Sequence, residues 1–271
     1  MGTGRDSKMI GMDDIRLNEA ADALVAGGIA GPHVSHRRRG NISKIQSMLK
    51  DDVESRFGLT GFERYSAPQI LELMARLTGC SKDPDDPQEQ DYIDPSLTIG
   101  AIVAGAQRLR RAAEDGRTLL AATGHPTGLL EHHMRVVDAY RAAGGEVIIP
   151  REQELFARGG KARIRYVGSV ACLCDGASLL HTHSSEAMEA ILEAKPWPDI
   201  VLADHGFAGA ALERGIPAVV FMDINDQALA VPWDEGKDVV IVPLDDNREP
   251  RFYEPSWALF ELILAGGEPS A

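Results

Sequence analysis

Five short segments of this 271-residue chain place ligand-type side chains directly after apolar runs. The first is Thr123-Gly124-His125-Pro126-Thr127-Gly128. Its glycines would let backbone approach a ligand, and Thr127 is positioned to cap the next helix. Free N–H groups and the positive end of that helix favour an anion. His125 adds an imidazole that a plain turn does not require. In the second segment His181 and His183 are two residues apart, so on extended chain both rings face the same way, as metal or phosphate contact needs. The third is Asp204-His205-Gly206, closing the apolar run 199–203. A carboxylate there is buried and needs a cation or hydrogen-bond donors. The fourth, Asp223-Ile224-Asn225-Asp226, supplies two carboxylates and an amide within four residues, an oxygen-rich group suited to Mg²⁺ or Mn²⁺. The fifth ends in Asp245-Asp246. Each segment alone also fits a blander role, as a strand-to-helix turn, a helix cap or a polar loop. Two successive strands that both end in aspartate at one rim favour function.

The positive charge is bunched elsewhere. His36-Arg37-Arg38-Arg39-Gly40-Asn41 is the strongest basic cluster in a chain with 28 Lys and Arg against 41 Asp and Glu, a net charge of −13. Arginine forks suit phosphate or carboxylate, so Arg37 and Arg39 are candidate phosphate ligands; a solvated loop or a subunit contact is the alternative. The acidic balance argues against nucleic-acid or anionic-membrane partners, which need a basic footprint. It leaves room for a small anionic ligand, and for assembly into a homo-oligomer. Three cysteines, Cys80, Cys172 and Cys174, cannot build a disulfide framework and suit a reducing compartment. With no basic-then-apolar leader and no apolar run of about 20 residues, the expected location is the cytoplasm.

Elements that would position these residues follow from periodicity. Residues 1–115 read as helices: one capped by Asp13, one following Asn41, one opened by a Ser66–Gln69 capping box, and one opened by Asp94-Pro95. From residue 117 short buried runs alternate with helices. Strands are expected at 118–123, 146–149, 200–203, 218–222 and 238–242, and helices at 128–143, 185–194, 207–214 and 256–265. Alternation of this kind implies a Rossmann-like α/β fold, a mostly parallel sheet with helices on both faces. Residues 163–167, 169–173 and 178–181, joined by Gly168 and by Asp175-Gly176, read as a small antiparallel insertion. The expected division is an N-terminal helical segment, 1–115, packed on an α/β catalytic core, 116–271. Ligands of such sheets bind beyond the carboxyl ends of the strands, where the five segments lie. His132 and His133 are adjacent on a helix, so at most one faces that rim.

The ordered motifs ATGHPTGLL (121–130), LLHTHS (179–184), DIVLADHGFAG (199–209), GIPAVVFMDINDQAL (215–229) and VPLDDN (242–247) together resemble a bacterial family designated generically as phosphatases. The similarity spans most of residues 40–265. It picks out Thr123, Gly124, His125, His181, His183, Asp204, His205, Asp223, Asn225, Asp226, Asp245 and Asp246 by position, and assigns none of them a role. Two departures stand out. Gln227 occupies the place of a proline after the Asn-Asp pair, and the N-terminal Arg-Asn segment differs.

These residues fit a metal-dependent phosphohydrolase acting on a small phosphorylated metabolite. In that reading Asp204, Asp223, Asn225 and Asp226 hold a Mg²⁺ or Mn²⁺ ion. His125 or His205 moves a proton. Thr123, Gly124, Thr127, Gly128, Arg37, Arg39, His181 and His183 contact phosphate or substrate, and Asp204, His205, Asp223 and His125 form the catalytic group. A sugar-phosphate isomerase or lyase, and a non-catalytic phosphometabolite-binding protein, would use the same rim. No Gly-x-Ser-x-Gly elbow or P-loop is present, which disfavours serine hydrolases and P-loop NTPases.

Overall fold

The computed structural model describes residues 16–152 and 162–270. Asp13, expected as a cap, lies outside them. The N-terminal part contributes α1 (Leu17–Ala26), α2 (Arg38–Leu49), α3 (Val53–Arg56), α4 (Ala67–Thr78) and α5 (Pro95–Glu114). The rest alternates β1 (Thr118–Ala122), α6 (Pro126–Ala142), β2 (Glu146–Val147), β3 (Arg163–Val167), β4 (Val170–Cys174), β5 (Leu179–Leu180), α7 (Glu186–Leu192), β6 (Ile200–Ala203), α8 (His205–Glu213), β7 (Ala218–Met222), α9 (Ala230–Asp234), β8 (Val239–Pro243) and α10 (Glu254–Leu264).

These strands form one sheet in the order β3-β4-β1-β6-β7-β8, parallel from β4 to β8. Strands β1, β4, β6 and β7 are apolar and buried along their length, as strands covered on both faces must be. α1, α5, α6 and α10 pack together, α7 lies against α8, and β7 touches both α5 and α8. In α5, Gly105 lets the helix settle on the sheet, since an added Cβ would stand 3.0 Å from Val219. One apolar cluster runs from Leu24, Ile70 and Ile102 to Val219 and Phe260, so the N-terminal helices and the sheet share a core.

Strand β2 is shorter and wetter than its apolar sequence implies. It pairs with β1 only through Thr118 and Leu119, and Ile149 is exposed. The chain then returns as the β3–β4 hairpin, whose β4 takes the same edge of β1 beside Ala121 and Ala122. Its turn places Gly168 and Ser169 at positive φ, the geometry of a two-residue hairpin connection. At the next turn Asp175 Oδ1 accepts from the Ala177 and Ser178 N–H groups. The hairpin thus carries the chain to the C-terminal end of β1 and delivers His181 and His183 there.

α2 begins at Arg38, four residues before the expected start, and this separates the three arginines. Arg38 is buried, with Nη1 3.1 Å from Asp91 Oδ1 and Nη2 donating to the Ser81 and Asp83 carbonyls. Asn41 Nδ2 donates to the other Asp91 oxygen at 2.7 Å. Arg37 and Arg39 are exposed and line a cavity of about 600 Å³ with Asp85, Asp86 and Glu89. Arg37 pairs with Glu89 at 3.4 Å, and Arg38 ties α2 to loop 81–91. Removing one partner of a buried pair costs about 3–5 kcal/mol, whereas an exposed pair contributes little. Arg38→Met is accordingly expected to lower unfolding free energy in urea by about 3 kcal/mol or more, and Arg37→Ala and Arg39→Ala by within about 0.5 kcal/mol.

Candidate functional site

The chain leaves β1 towards β2 and β4 on one side, and later adds β6 on the other. This reversal opens a crevice at the carboxyl ends of β1 and β6. The loops at the crevice bind each other tightly. Gly124 N–H donates to Asp204 Oδ1 at 2.7 Å, the Gly124 carbonyl accepts from Thr182 N–H at 2.9 Å, and Thr123 Oγ1 accepts from His125 N–H at 3.0 Å. A Cβ on Gly124 would stand 2.4 Å from the Thr182 carbonyl oxygen, one on Gly128 2.2 Å from that of Asp246, and one on Gly206 2.3 Å from that of Ser184. The motif glycines thus let rim segments pack on one another. Within 123–128 the Gly124 and His125 N–H groups are already engaged. Thr127 does not cap α6, which starts at Pro126 after an uncapped His125 and leaves Thr127 exposed.

Four imidazoles meet in the crevice. Ring centroids of His125 and His181 are 4.5 Å apart, His181 and His183 5.0 Å, and His183 and His205 4.9 Å. Phe57 closes one side, edge-on to His183 and His205. A Cβ on Gly209 would lie 2.0 Å from the Phe57 carbonyl oxygen, so that glycine admits this neighbour. His205 sits at φ 45°, a strained conformation for a residue with a side chain. It is held by Asp204, whose Oδ1 is 2.9 Å from His205 Nδ1. Asp204 Oδ2 lies 3.5 Å from His133 Nε2, while His132 turns away to Ser256 in the core. Burial opposes the Asp204 carboxylate, yet the His205 hydrogen bond and the nearby imidazoles bring its pKa down to about 2. Burial and neighbouring imidazoles push His125 and His183 down to about 4.

Facing these rings is a group of buried carboxylates from the ends of β7 and β8. Asp246 Oδ2 is 3.3 Å from both His125 Nδ1 and His205 Nε2, and Asp226 Oδ2 is 3.6 Å from His205 Nε2. Asp223 Oδ2 lies 3.0 Å from His36 Nε2. Burial, together with the Asp223 and Asp226 charges, raises the Asp246 pKa well above the carboxylate range. Lys44 Nζ approaches Asp226 Oδ1 at 3.5 Å. Asp245 faces the other way. It accepts from the Ser35 N–H and hydroxyl and anchors the loop before α2 over the rim.

Among the described residues, three groups could each surround an ion: His125, His181 and His205; His205, Asp226 and Asp246; and His36, Asp223 and Asp246. Within each group the ligand atoms lie within 4.8 Å of one another. Ions with ligands at about 2.0–2.2 Å need such convergence. His125 Nδ1 and Asp226 Oδ1 are buried without hydrogen-bond partners, so the donor set fits a cation. Asp204 and Asn225, expected as ligands, adjoin these groups: Asp204 Oδ1 lies 2.9 Å from His205 Nδ1 while its Oδ2 is buried without a hydrogen-bond partner, and the Asn225 amide lies 2.9 Å from His36 Nε2.

Sequence reasoning missed His36, Lys44 and Phe57, and left open which of His132 and His133 faces the rim; it is His133. His36 was hidden beside the conspicuous arginines. Lys44 carries a helical signal nearly two turns into α2: it points at Asp226 while Ile45 and Met48 point to the core. Gln227, in the place of a proline, is buried and donates to the Asn41 and Ile224 carbonyls, tying the rim to α2.

Comparison with known proteins gives the chain a family. A family profile described as Phosphatase matches residues 16–264. A curated protein named Phosphatase SCO2771, from Streptomyces coelicolor (strain ATCC BAA-471 / A3(2) / M145), is 42% identical over 247 residues, covering 89% of this chain and 93% of that protein.

The close crossing at Gly206 makes a direct test of the rim packing. Gly206→Ala is expected to destabilise the fold by about 1–3 kcal/mol, the usual cost of overpacking, read as a lower urea midpoint. An unchanged midpoint would contradict the crossing.

Proposed function

The chain belongs to this phosphatase family, and from that premise we propose that it is a metal-dependent phosphohydrolase of small phosphorylated metabolites, with its site in the crevice beyond β1, β6, β7 and β8. One observation carries the reading: imidazoles and buried carboxylates converge there, and His125 Nδ1, Asp204 Oδ2 and Asp226 Oδ1 lack hydrogen-bond partners. Families that hydrolyse phosphate esters need charge neutralisation and positioning above all.

His125, His181, His205, Asp226 and Asp246 would hold the cation. A divalent ion bound there supplies charge neutralisation at the phosphoryl oxygens. The imidazole content favours Mn²⁺ over Mg²⁺, since Mg²⁺ prefers oxygen ligands throughout. Asp204 fixes the His205 ring by its bond to Nδ1 and leaves Nε2 free to face the cation, a carboxylate–histidine pairing common around metals. His133 in turn backs Asp204. Lys44, half-buried beside Asp226, attracts the anionic substrate. His183 belongs to none of the ligand groups, and its ring is free to pass a proton to or from the substrate oxygen. Phe57 keeps water from one flank of the imidazoles.

All three cysteines are free and buried, as suits a cytoplasmic protein, and no described helix is long and apolar enough to cross a membrane.

Phosphate release measured across a panel of phosphorylated metabolites tests the reading. Activity is expected to disappear after chelator treatment and return with Mn²⁺. Asp204→Asn is expected to lower activity or metal affinity about 10–100-fold, the usual effect of altering a group behind a ligand. Full turnover in the presence of chelator, by a protein shown to be free of metal, would overturn the metal-dependent reading.

A further inference from the structure

We propose that the crevice holds a pair of divalent cations that share Asp246, the second of them completed by His36 from the loop before α2. This rests on the metal-dependent reading above and extends it. The argument starts from the number of ligand atoms each residue has left. His205 Nδ1 is taken by Asp204 at 2.9 Å, so Nε2 is its only atom for a metal. One nitrogen lone pair serves one ion. The groups built on His125, His181 and His205, and on His205, Asp226 and Asp246, therefore converge on a single ion. Asp246 Oδ2 stands 3.3 Å from both His125 Nδ1 and His205 Nε2, which places it at that first position.

The group of His36, Asp223 and Asp246 contains none of those imidazoles. It is separate from the first position except for Asp246. A carboxylate has two oxygens and about four lone-pair directions, enough to serve two neighbouring ions. Asp223 Oδ1 already accepts from Ile224 N–H at 2.5 Å, leaving Oδ2, 3.0 Å from His36 Nε2, for the second position; the Asn225 and Asn247 amides, 2.9 and 2.8 Å from that nitrogen, would give way to the ion.

Charge supports a pair over a single ion. Asp204, Asp223, Asp226, Asp245 and Asp246 are all buried. Among the described residues the lysine and arginine partners of these five are Lys44 at Asp226 and Arg248 at Asp245. Buried charges that lack partners are strongly unfavourable. One cation leaves the Asp223 side to a half-buried histidine alone, and two cations offset both sides.

His181 of the first position is exposed and His36 of the second is half-buried, so both positions open to solvent. A shared-carboxylate pair is also the arrangement that clamps both the attacking and leaving oxygens of a phosphoryl group. The consequence for the chain is specific: the α/β part lacks a complete second position, and the N-terminal segment provides its missing ligand.

Metal content per chain tests this directly. The full-length protein is loaded with Mn²⁺, desalted and measured by mass spectrometry, with electron paramagnetic resonance on the same sample. Wild type is expected to hold two ions per chain with an exchange-coupled spectrum. His36→Ala and Asp223→Asn are each expected to hold one ion with the spectrum of an isolated centre. Circular dichroism confirms that each variant is folded, and two variants of the same position guard against loss of either. One ion in wild type that persists unchanged in both variants would overturn the pair while leaving the metal-dependent reading intact. No bound Mn²⁺ in wild type, with phosphate release continuing in chelator, would overturn both.

Discussion

Burial of several carboxylates within a few ångströms of one another is the constraint around which this protein is arranged. Asp204, Asp223, Asp226 and Asp246 leave the ends of three adjacent parallel strands, where the sheet gives their side chains nowhere to go but into the crevice. In a low-dielectric setting like charges at such separation repel strongly. The surroundings are built to meet that repulsion. Imidazoles come from the β1, β5 and β6 ends, a lysine comes from α2, and His36 comes from the loop ahead of it. Even so, the cation supply from the chain falls short, and the unpartnered atoms mark where a metal would make up the difference.

The close packing of the rim follows from the same constraint. Side chains can converge only if their loops do. Glycines 124, 128, 206 and 209 stand where backbone passes against backbone, and none of these four could carry a Cβ without a shift. The strained φ of His205 belongs with them. It turns the ring towards Asp226 and Asp246 while Asp204 holds its other nitrogen. Preorganisation of this kind costs conformational energy and is found where function requires it.

Much of this was legible in the sequence because parallel sheets impose order. A strand buried on both faces is a plain apolar run, and the residue after it lies at the ligand-binding rim. That reasoning located Asp204, Asp223, Asp226 and Asp246, and the two-residue spacing brought out His181 and His183. The rest depends on contacts between segments distant in sequence. Asp204 and Asn225 looked like ligands because of their chemistry. Only the fold shows that Asp204 Oδ1 is engaged by Gly124 and His205. The glycines of 124–128 had the spacing of an anion cradle, and the fold shows that they also admit the backbone of other loops. Arg37–Arg39 drew attention by charge, and the buried pairing of Arg38 with Asp91, 53 residues away, could not be read from local pattern. His36, one residue before that cluster, is the member that reaches the crevice.

The central claim is that this group of side chains is a cation site. Diffraction from Mn²⁺-soaked crystals, with anomalous scattering collected at the manganese edge, tests it most directly. The expected result is an anomalous peak among His125, His205 and Asp246, at metal–ligand distances of about 2.0–2.3 Å. Crystals that show only water among these residues, from protein that hydrolyses phosphate esters without added metal, would contradict it.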